Sequence, residues 1–251
     1  MREERVPEYS EERLCGGVTV CVSPSHRFGT DAVLLSDFAL PEGARKLRLA
    51  CDLGSGCGII PMLWYGRGCA PERVYAVEIQ PEGAELMRLG AEKNGLEGRF
   101  FPICADMTGL GSAQLPLGRF DLVTCNPPYK AEGTGIVSRS AADITARHEG
   151  GCSIDSVCRT ASRLLRFGGS FCMCFRPERL ADAICAARAN KLEPKRLRFV
   201  CQRDGLEPWL FLMEARRGGG AGLRVLPQLV IERGGEYTDE LKKIYEGFCR
   251  G

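Results

Sequence analysis

A doubly wound α/β fold is predicted by three features of this 251-residue sequence. First, from about residue 47 onward, short apolar runs alternate with stretches in which apolar residues recur at helical spacing. Second, the apolar runs are nearly continuous, as in strands that are buried on both faces of a parallel sheet. Third, helix boundary signals lie between them, such as Pro81 at a helix start and Ser153 at an N-cap position. We therefore expect a seven-stranded sheet, mostly parallel with an antiparallel last strand, covered by helices on both faces.

The elements are expected in the following order along the chain. Residues 16–22 (GGVTVCV) alternate apolar and polar positions, which predicts an N-terminal hairpin, and residues 30–40 read as a short helix. The strands of the sheet are expected at 46–53, 73–79, 99–106, 120–125, 170–175, 195–200 and 208–215. The remaining helices are expected at 58–66, 81–95, 153–169, 177–191 and 238–247. Residues 1–40 are thus expected to form a small hairpin-and-helix extension, packed on a core domain of residues 41–251.

The composition is that of a globular protein, with 44% hydrophobic and 26% charged residues, and it excludes a disordered chain. The net charge is only +2, so the molecule as a whole is not a polycation. No apolar run approaches the roughly 20 residues that cross a bilayer. The charged N-terminus (MREERVPEYSEER) has no apolar segment of the kind found in secretory signals. These features predict a cytoplasmic protein with no membrane partner.

The 14 cysteines are expected to be reduced and to act as small hydrophobic residues, because they are scattered through apolar runs such as SFCMCF. No C-x-x-C spacing occurs and there are only two histidines. The sequence therefore predicts no metal site.

A cofactor site is predicted where three acidic residues end three successive strands. The first strand runs into a glycine-rich turn, DLGSGCG, which begins at Asp52. The dinucleotide fingerprint requires a third glycine where this chain has Ile59, so a nicotinamide cofactor is disfavoured. The position of Asp52 resembles the first motif of S-adenosylmethionine-dependent methyltransferases, in which the acid faces the amino-acid end of the cofactor. Glu78 ends the second strand, where a carboxylate can accept both ribose hydroxyls. Asp106 follows the third strand and resembles the acid that contacts the adenine amine.

The fourth strand ends in NPPY, which starts at Asn126. Two acceptors, the Asn126 side-chain oxygen and the Pro127 carbonyl, can hold the two hydrogens of a planar exocyclic amine. The prolines restrict the backbone φ angles, so that the Pro127 carbonyl keeps its direction towards the amine. Tyr129 offers a stacking face for a ring. The expected chemistry is methylation of such an amine by positioning and electrostatics, without a general base.

A local basic stretch, residues 188–203, has six basic residues and one acidic residue. Such a patch could hold phosphates. The alternative is a solvated helix end followed by an edge strand whose lysines prevent aggregation. The sequence leaves both interpretations open.

Several further stretches resemble the bacterial tRNA1(Val) adenine-37 N6-methyltransferase family of class I, Rossmann-like, S-adenosylmethionine-dependent enzymes. The stretches are HRFGTDAVLLSDF (26–38), DLGSGCGIIP (52–61), NPPYK with ITARHE (126–130 and 144–149), FRPERLAD (175–182), LEPKRLRFV (192–200) and GEYTDELKKIY (235–245). The resemblance implies methyl transfer from S-adenosylmethionine, with S-adenosylhomocysteine as product, to adenine N6 in tRNA, at position 37 next to the anticodon of tRNA(Val).

The resemblance also assigns site residues. The cofactor is expected at Phe28, Gly29, Thr30, Asp31, Asp52, Leu53, Gly54, Ser55, Gly56, Gly58, Glu78, Ile79, Asp106, Met107 and Asn126. The catalytic residues are expected to be Asn126, Pro127, Pro128 and Tyr129, and the RNA-facing residues Lys130, Arg147, His148, Lys195, Arg196 and Arg198. Thr30 and Asp31 are alternatively a helix start, and Arg147 is alternatively a surface partner of Glu149. The oligomeric state stays open between a monomer and a weak dimer.

The same motif allows other methyl acceptors, and a protein without catalytic activity is a further alternative. NPPY occurs in enzymes that act on guanine N2 or adenine N6 of ribosomal RNA, and in an enzyme that methylates protein glutamine amides. The last of these has a helical domain ahead of the sheet, whereas only about 50 residues precede the glycine turn here. A non-catalytic RNA-binding scaffold would be expected to have a damaged cofactor turn or Asn126 site, and both are intact in the sequence.

Overall fold

The computed structural model describes residues 8–40, 46–127 and 153–249. The chain begins with an antiparallel hairpin, β1 (Ser10–Arg13) and β2 (Thr19–Val22), followed by helix α1 (Thr30–Ala39). The seven expected strands are β3 (Leu49–Leu53), β4 (Arg73–Glu78), β5 (Phe100–Cys104), β6 (Phe120–Cys125), β7 (Leu165–Phe175), β8 (Leu192–Arg203) and β9 (Leu210–Arg217). The other helices are α2 (Ile59–Gly66), α3 (Pro81–Lys93), α4 (Ile154–Leu164), α5 (Leu180–Ala189) and α6 (Asp239–Cys249).

The sheet confirms the predicted doubly wound α/β fold. Among the described residues its strand order is β9-β7-β6-β3-β4-β5 on one side, and β8 lies on the other side of β9. Strand β9 is antiparallel to both β7 and β8, whereas β3 to β7 pair in parallel. Because the parallel strands share a direction, the ends of β3, β4, β5 and β6 meet at one edge of the sheet.

Three short strands extend the sheet beyond the seven that the sequence predicts. They are β10 (Arg224–Val225), β11 (Leu229–Arg233) and β12 (Glu236–Tyr237). Both β10 and β11 pair in parallel with β8, and β12 pairs antiparallel with β11. The two-residue strands β10 and β12 carry too little periodicity to be recognised in a sequence, and the five-residue β11 was also missed, so the predicted number of strands was too low.

The helix predicted at 153–169 extends too far at its C-terminal end. Ser153 is the N-cap, as expected, since its side chain accepts a hydrogen bond from the Ser156 N–H. The helix stops at Leu164, however, and β7 starts at the next residue. Leu165 pairs with Phe120, ahead of an irregularity in the ladder between β6 and β7. Long-range pairing therefore overrides the helical spacing of this segment.

The core has two layers, one on each face of the sheet. On one face, α1, α2, α3 and α6 pack on the sheet, and the buried layer includes Trp64 of α2, Leu122 of β6 and Leu212 of β9. On the other face, α4 and α5 pack over side chains that include Phe120 and Phe171. The carboxyl ends of the parallel strands lie between these two helix layers, and this edge is where ligands bind in such folds.

The N-terminal hairpin is tied to α3 by one asparagine. The Asn94 side chain accepts from the Thr19 N–H at 2.8 Å and donates to the Thr19 carbonyl at 2.6 Å. The amide thereby replaces a neighbouring strand for β2. Within residues 8–40, 46–127 and 153–249, no helix is long and apolar enough to cross a membrane.

Candidate active site at the carboxyl edge of the sheet

The glycine turn after β3 adopts a conformation that only glycine tolerates well. Gly54, Gly56 and Gly58 have φ angles of 67°, 58° and 81°. Such left-handed angles are strained for residues with a Cβ atom. The Gly54 and Ser55 N–H groups donate to the Val77 carbonyl at 2.9 and 3.0 Å. The turn is thereby joined to the end of β4 and stays open towards the sheet edge.

Asp52 is almost completely buried, at 1% exposure, immediately ahead of this turn. The Ser55 hydroxyl donates to Oδ2 and the Thr124 hydroxyl donates to Oδ1, each at 2.6 Å. Burial raises the pKa of Asp52 to about 6, the two hydroxyls oppose this rise, and the negative charge of Glu78 adds to it. A buried carboxylate of this kind is poised to receive a cationic group from a ligand.

Glu78 is held by backbone groups from two loops. Its Oε2 accepts from the Gly56 N–H and its Oε1 accepts from the Gln80 N–H, both at 2.9 Å. The carboxylate is 7% exposed and therefore has a fixed orientation at the end of β4. Each oxygen retains acceptor capacity, so the pair can take two neighbouring hydroxyls of a ribose.

Asp106 lies just past the end of β5 and caps a 3-10 turn, Met107–Gly109. Its Oδ1 accepts from the Thr108 N–H and the Thr108 hydroxyl, both at 2.8 Å. Met107 lies over the glycine turn, with its Cε atom 3.6 Å from where a Cβ on Gly54 would be. Ile79, which follows Glu78, is 56% exposed. This part of the edge offers one acid between two apolar side chains, a surface suited to a planar ring.

Gly83 is a close contact that the sequence analysis missed. A Cβ atom there would lie 2.8 Å from Glu78 Cγ, 2.9 Å from the Gly56 carbonyl oxygen and 2.9 Å from His26 Nε2. Contacts that short are not tolerated, so only glycine allows α3 to approach the carboxylate this closely. Sequence spacing could not reveal this requirement, since Gly83 lies in a regular helix.

Gly83→Ala is expected to displace Glu78 and to weaken S-adenosylmethionine binding about tenfold, since overpacking typically costs about 1–3 kcal/mol. Isothermal titration calorimetry measures the affinity. Gly90→Ala on the same helix is the matched control, because a Cβ there would meet only the flexible Met62 methyl group closely, at 3.1 Å. Wild-type affinity in Gly83→Ala would show that Glu78 does not contact the cofactor.

Asn126 follows β6, and its amide orientation is set by Asp31 of α1. The Asn126 Nδ2 group donates to Asp31 Oδ2 at 3.0 Å. An ionised carboxylate can only accept hydrogen bonds, so the amide nitrogen must face Asp31 and Oδ1 must face away from it. The Cys174 thiol donates to that Oδ1 at 3.0 Å. Pro127, the next residue, is buried.

The structure therefore brings the two predicted sites together. Asp52 in β3 pairs with Thr124 in β6, and Asn126 lies two residues beyond Thr124, directly after the end of β6. Side chains two apart on a strand share a face, so Asp52, Thr124 and Asn126 line the same side of the sheet. The glycine turn and the asparagine are consequently neighbours, as the sequence analysis expected for a methyl donor and an acceptor.

The remaining predicted residues have varied positions. Phe28 packs against the core, Gly29 is the N-cap of α1, and the Thr30 hydroxyl is 3.1 Å from the Tyr245 hydroxyl. Leu53 is buried in β3. Five predicted residues lie outside the described residues, namely Pro128, Tyr129, Lys130, Arg147 and His148.

The predicted basic patch is occupied by contacts within the protein. Lys195 donates to the Gly220 carbonyl. Arg196 pairs with Glu214, donates to the Phe38 carbonyl at 2.9 Å and lies over the Phe38 ring.

Arg198, the third predicted cation of the patch, donates to the Pro227 carbonyl and pairs with Glu240 at 2.5 Å. The Arg196 and Arg198 side chains are only 18% and 16% exposed. These arginines join the sheet to α1 and α6, and a role towards RNA stays a prediction.

Comparisons with known proteins agree with this geometry. The methyltransferase small domain family matches residues 28–149. A tRNA1(Val) (adenine(37)-N6)-methyltransferase from Porphyromonas gingivalis is 31% identical over 193 residues, which cover 76% of this chain and 74% of that protein. The protein of the same name from Yersinia enterocolitica is 31% identical over 147 residues, which cover 59% of this chain and only 56% of that protein.

Solved structures show the same fold. A predicted O-methyltransferase from Agrobacterium tumefaciens is similar with a TM-score of 0.69 and 25% identity, over 88% of this chain and 98% of that chain. A T. thermophilus 16S rRNA N2 methyltransferase, solved with AdoMet and guanosine, has a TM-score of 0.53 and 18% identity, over 84% of this chain and 50% of that chain. The similarity to the T. thermophilus enzyme supports a shared fold and nothing further.

The fold, the glycine turn and the three edge carboxylates define an S-adenosylmethionine-dependent methyltransferase. Within that class, the identity and coverage of the Porphyromonas relative show that the chain belongs to the tRNA1(Val) (adenine(37)-N6)-methyltransferase family. Among the residues that the structure describes, no group of three or more histidine, cysteine or acidic side chains is placed to hold a metal ion.

Proposed function

We propose that this protein methylates the N6 amine of an adenosine in tRNA, at position 37 of tRNA1(Val), with S-adenosylmethionine as the methyl donor. The observation that carries the proposal is the Asn126 amide, held by Asp31 at 3.0 Å, on the face of the sheet that carries Asp52. The names of the curated relatives supply the RNA and the position.

The residues of the sheet edge fit the cofactor. Asp52 would receive its ammonium group, Glu78 its ribose hydroxyls and Asp106 its adenine amine, while Ile79 and Met107 would flank the adenine ring. The turn residues Gly54, Ser55, Gly56 and Gly58 would let the backbone approach closely. When bound, the cofactor supplies an electrophilic methyl group on a sulfonium.

Asn126 and Pro127 would position the acceptor amine. The lone pair of an adenine amine is delocalised into its ring, so the nitrogen is a poor nucleophile. Hydrogen bonds from its two N–H groups to Asn126 Oδ1 and to the Pro127 carbonyl favour a tetrahedral nitrogen, whose lone pair then points towards the methyl group. The nitrogen gains the methyl group and loses one proton to solvent, and no side chain needs to act as a general base.

Residues outside the described part complete this proposal. Pro128 would keep the backbone rigid, Tyr129 would stack on the target base, and Lys130, Arg147 and His148 would contact the RNA. We also retain the division into an extension of residues 1–40 and a methyltransferase domain of residues 41–251, in a cytoplasmic protein.

The decisive test is methyl transfer from labelled S-adenosylmethionine to total tRNA that lacks the modification. Digestion should release N6-methyladenosine, and sequencing should place it at position 37 of tRNA1(Val). Label in ribosomal RNA or in a protein glutamine, with none in tRNA, would refute the substrate assignment while preserving the chemistry. An absence of transfer to any acceptor would favour an RNA-binding scaffold.

Asp31→Ala is expected to lower kcat by about 10- to 100-fold, because the Asn126 Nδ2 group loses its carboxylate acceptor and the amide holds its acceptor oxygen in the productive orientation less of the time. The affinity for S-adenosylmethionine should change much less than kcat. Asp37→Ala is the matched control, since Asp37 lies on the same helix and pairs with Arg67 at 2.5 Å. Equal losses of kcat in the two variants would contradict a positioning role for Asp31.

A further inference from the structure

An aromatic cleft of about 390 Å³ lies next to the candidate active site. Its lining is shared by the start of α1, the end of β8, the start of β9, the short strands β11 and β12, and α6. The lining residues that carry the argument are Asp31, Gln202, Trp209, Glu232, Tyr237 and Tyr245.

The cleft adjoins the catalytic asparagine through Asp31. This carboxylate lines the cleft and accepts the hydrogen bond from Asn126 Nδ2 at 3.0 Å. A ligand in the cleft is therefore separated from Asn126 by a single side chain. Neither Asn126 nor Pro127, the two described residues of the catalytic motif, lines the cleft, which therefore lies beside the Asn126 amide and not around it.

The cleft exposes aromatic surface that a folded chain ordinarily buries. Tyr237 is 55% exposed and Trp209 is 36% exposed. The Tyr237 and Tyr245 rings are parallel to within 2°, with centroids 6.3 Å apart. The Tyr245 hydroxyl is also hydrogen-bonded to the Thr30 hydroxyl, which attaches the two stacked tyrosine rings to α1. Rigid aromatic faces beside an RNA-modifying site are the surfaces on which unstacked bases bind.

The polar groups of the cleft favour a base over a phosphate. Glu232 Oε1 accepts from Gln202 Nε2 at 2.8 Å, and Glu232 Oε2 pairs with Arg203 at 3.2 Å. Together with Asp31, these groups present carboxylate and amide oxygens, which can accept hydrogen bonds from the edge of a neutral ring, whereas an ionised phosphate has no hydrogen to donate to them. A nucleobase satisfies both the aromatic faces and the acceptors.

We propose that this cleft binds a nucleobase adjoining the target adenosine, stacked on Trp209 and Tyr237. The inference rests on the proposed function, because it requires a single-stranded RNA segment at Asn126. A target base can reach Asn126 only if it leaves its stack, and its neighbour then loses a stacking partner. The aromatic rings of the cleft give this neighbour a new stacking partner, which offsets part of the free energy needed to unstack the target base.

The test uses the full-length protein and full-length tRNA1(Val), assembled by ligation, with either neighbour of the target adenosine replaced in turn by an abasic nucleotide. On intact tRNA, Trp209→Ala and Tyr237→Ala should each lower kcat/KM about tenfold, as expected from the loss of one base–aromatic stack. On the tRNA whose abasic nucleotide removes the proposed occupant, wild type should fall to the level of the variants, and the variants should fall no further.

Two further variants keep the result interpretable. Trp209→Phe retains an aromatic face and should recover most of the activity that Trp209→Ala loses. Phe167→Ala removes another exposed aromatic side chain, 78% exposed, which contacts Gly218 beyond the end of β9, and it should behave as wild type. Titration with S-adenosylmethionine and thermal melting should give wild-type values for all variants.

The outcomes separate the two proposals. If wild type methylates the adenosine but Trp209→Ala and Tyr237→Ala lose activity equally on intact and abasic tRNAs, or lose none, the cleft does not hold a neighbouring base. If wild type does not methylate the adenosine in intact tRNA, the proposed function fails, and this inference fails with it.

Discussion

Replacing Asn126 with alanine is expected to lower kcat for methyl transfer about 100- to 1,000-fold, the usual effect of deleting one preorganised group that stabilises a transition state. Its Oδ1 atom is one of only two acceptors proposed for the adenine amine. The amide is aimed before substrate arrives, because Asp31 holds its nitrogen at 3.0 Å. Single-turnover kinetics with saturating cofactor and tRNA measures the chemical step.

The Asn126→Ala variant needs a control that loses a comparable hydrogen bond elsewhere. Asn190 is suitable, because its Nδ2 donates to Asp155 Oδ1 at 2.9 Å, on the face of the sheet covered by α4 and α5. Asn190→Ala should keep full activity. Cofactor affinity should survive in both variants. If Asn126→Ala retains near wild-type kcat, the amine is not held by this amide.

Asp52→Asn is expected to have two large and opposite effects. The first is a loss of S-adenosylmethionine affinity by more than about 30-fold, because removing one partner of a buried, hydrogen-bonded charge pair costs about 2–5 kcal/mol. The Asn side chain can still bond the Ser55 and Thr124 hydroxyls but carries no charge for the cofactor ammonium. For the wild-type protein, affinity should also weaken as the pH falls through about 6, where Asp52 takes up a proton.

The second effect is a gain in stability of the cofactor-free protein. The pKa of Asp52 is raised from 3.8 to about 6 in the folded state, so the folded state holds the proton more tightly than the unfolded state does. The stability that Asp52 contributes is therefore present below pH 4 and is lost as the pH rises through about 6. At neutral pH the ionised carboxylate costs about 3 kcal/mol on the scale of 1.36 kcal/mol per pKa unit, a cost that asparagine avoids. Thermal melting should show Asp52→Asn to be more stable than wild type at pH 7.5, with the difference fading towards pH 4.

Asp121→Asn is the control of opposite sign. Burial raises the pKa of Asp121, but hydrogen bonds from Arg166 and from the Arg48 and Leu49 N–H groups outweigh this, so its pKa lies below the ordinary value. The neutral substitution should therefore destabilise the protein at pH 7.5. Equal destabilisation by Asp52→Asn and Asp121→Asn would contradict the proposed cost of burying the Asp52 charge.

The sequence alone predicts the layered architecture and the chemistry of the edge. Near-continuous apolar runs identify strands such as β3, β6 and β7, because a strand buried on both faces has few polar positions to obscure it. Asp52, Glu78 and Asp106 are recognisable because each comes at the end of a strand, and parallel strands must bring their ends to one edge. These inferences depend only on local patterns and on the direction of the strands.

The errors of the sequence analysis arise where distant segments decide local structure. The segment that begins at Leu165 continues the helical spacing of α4, yet it forms β7 because β6 offers a partner for its backbone. The two-residue strands β10 and β12 are too short to show a period. Strands β10 and β11 form because β8 has an edge that is not paired with β9. In both cases, backbone hydrogen bonding across the sheet outweighs local preference.

Residue type and strand order are enough to predict which chemical groups reach the edge of the sheet. The orientation of those groups depends on the three-dimensional packing. Asp31 holds Asn126 across 95 residues of sequence, and Gly83 is required because α3 lies against Glu78. The cleft of Trp209 and Tyr237 exists because the last strands and α6 fold back beside α1. Orientation, close approach and cavity shape depend on contacts between segments far apart in the chain, and no local pattern encodes those distances.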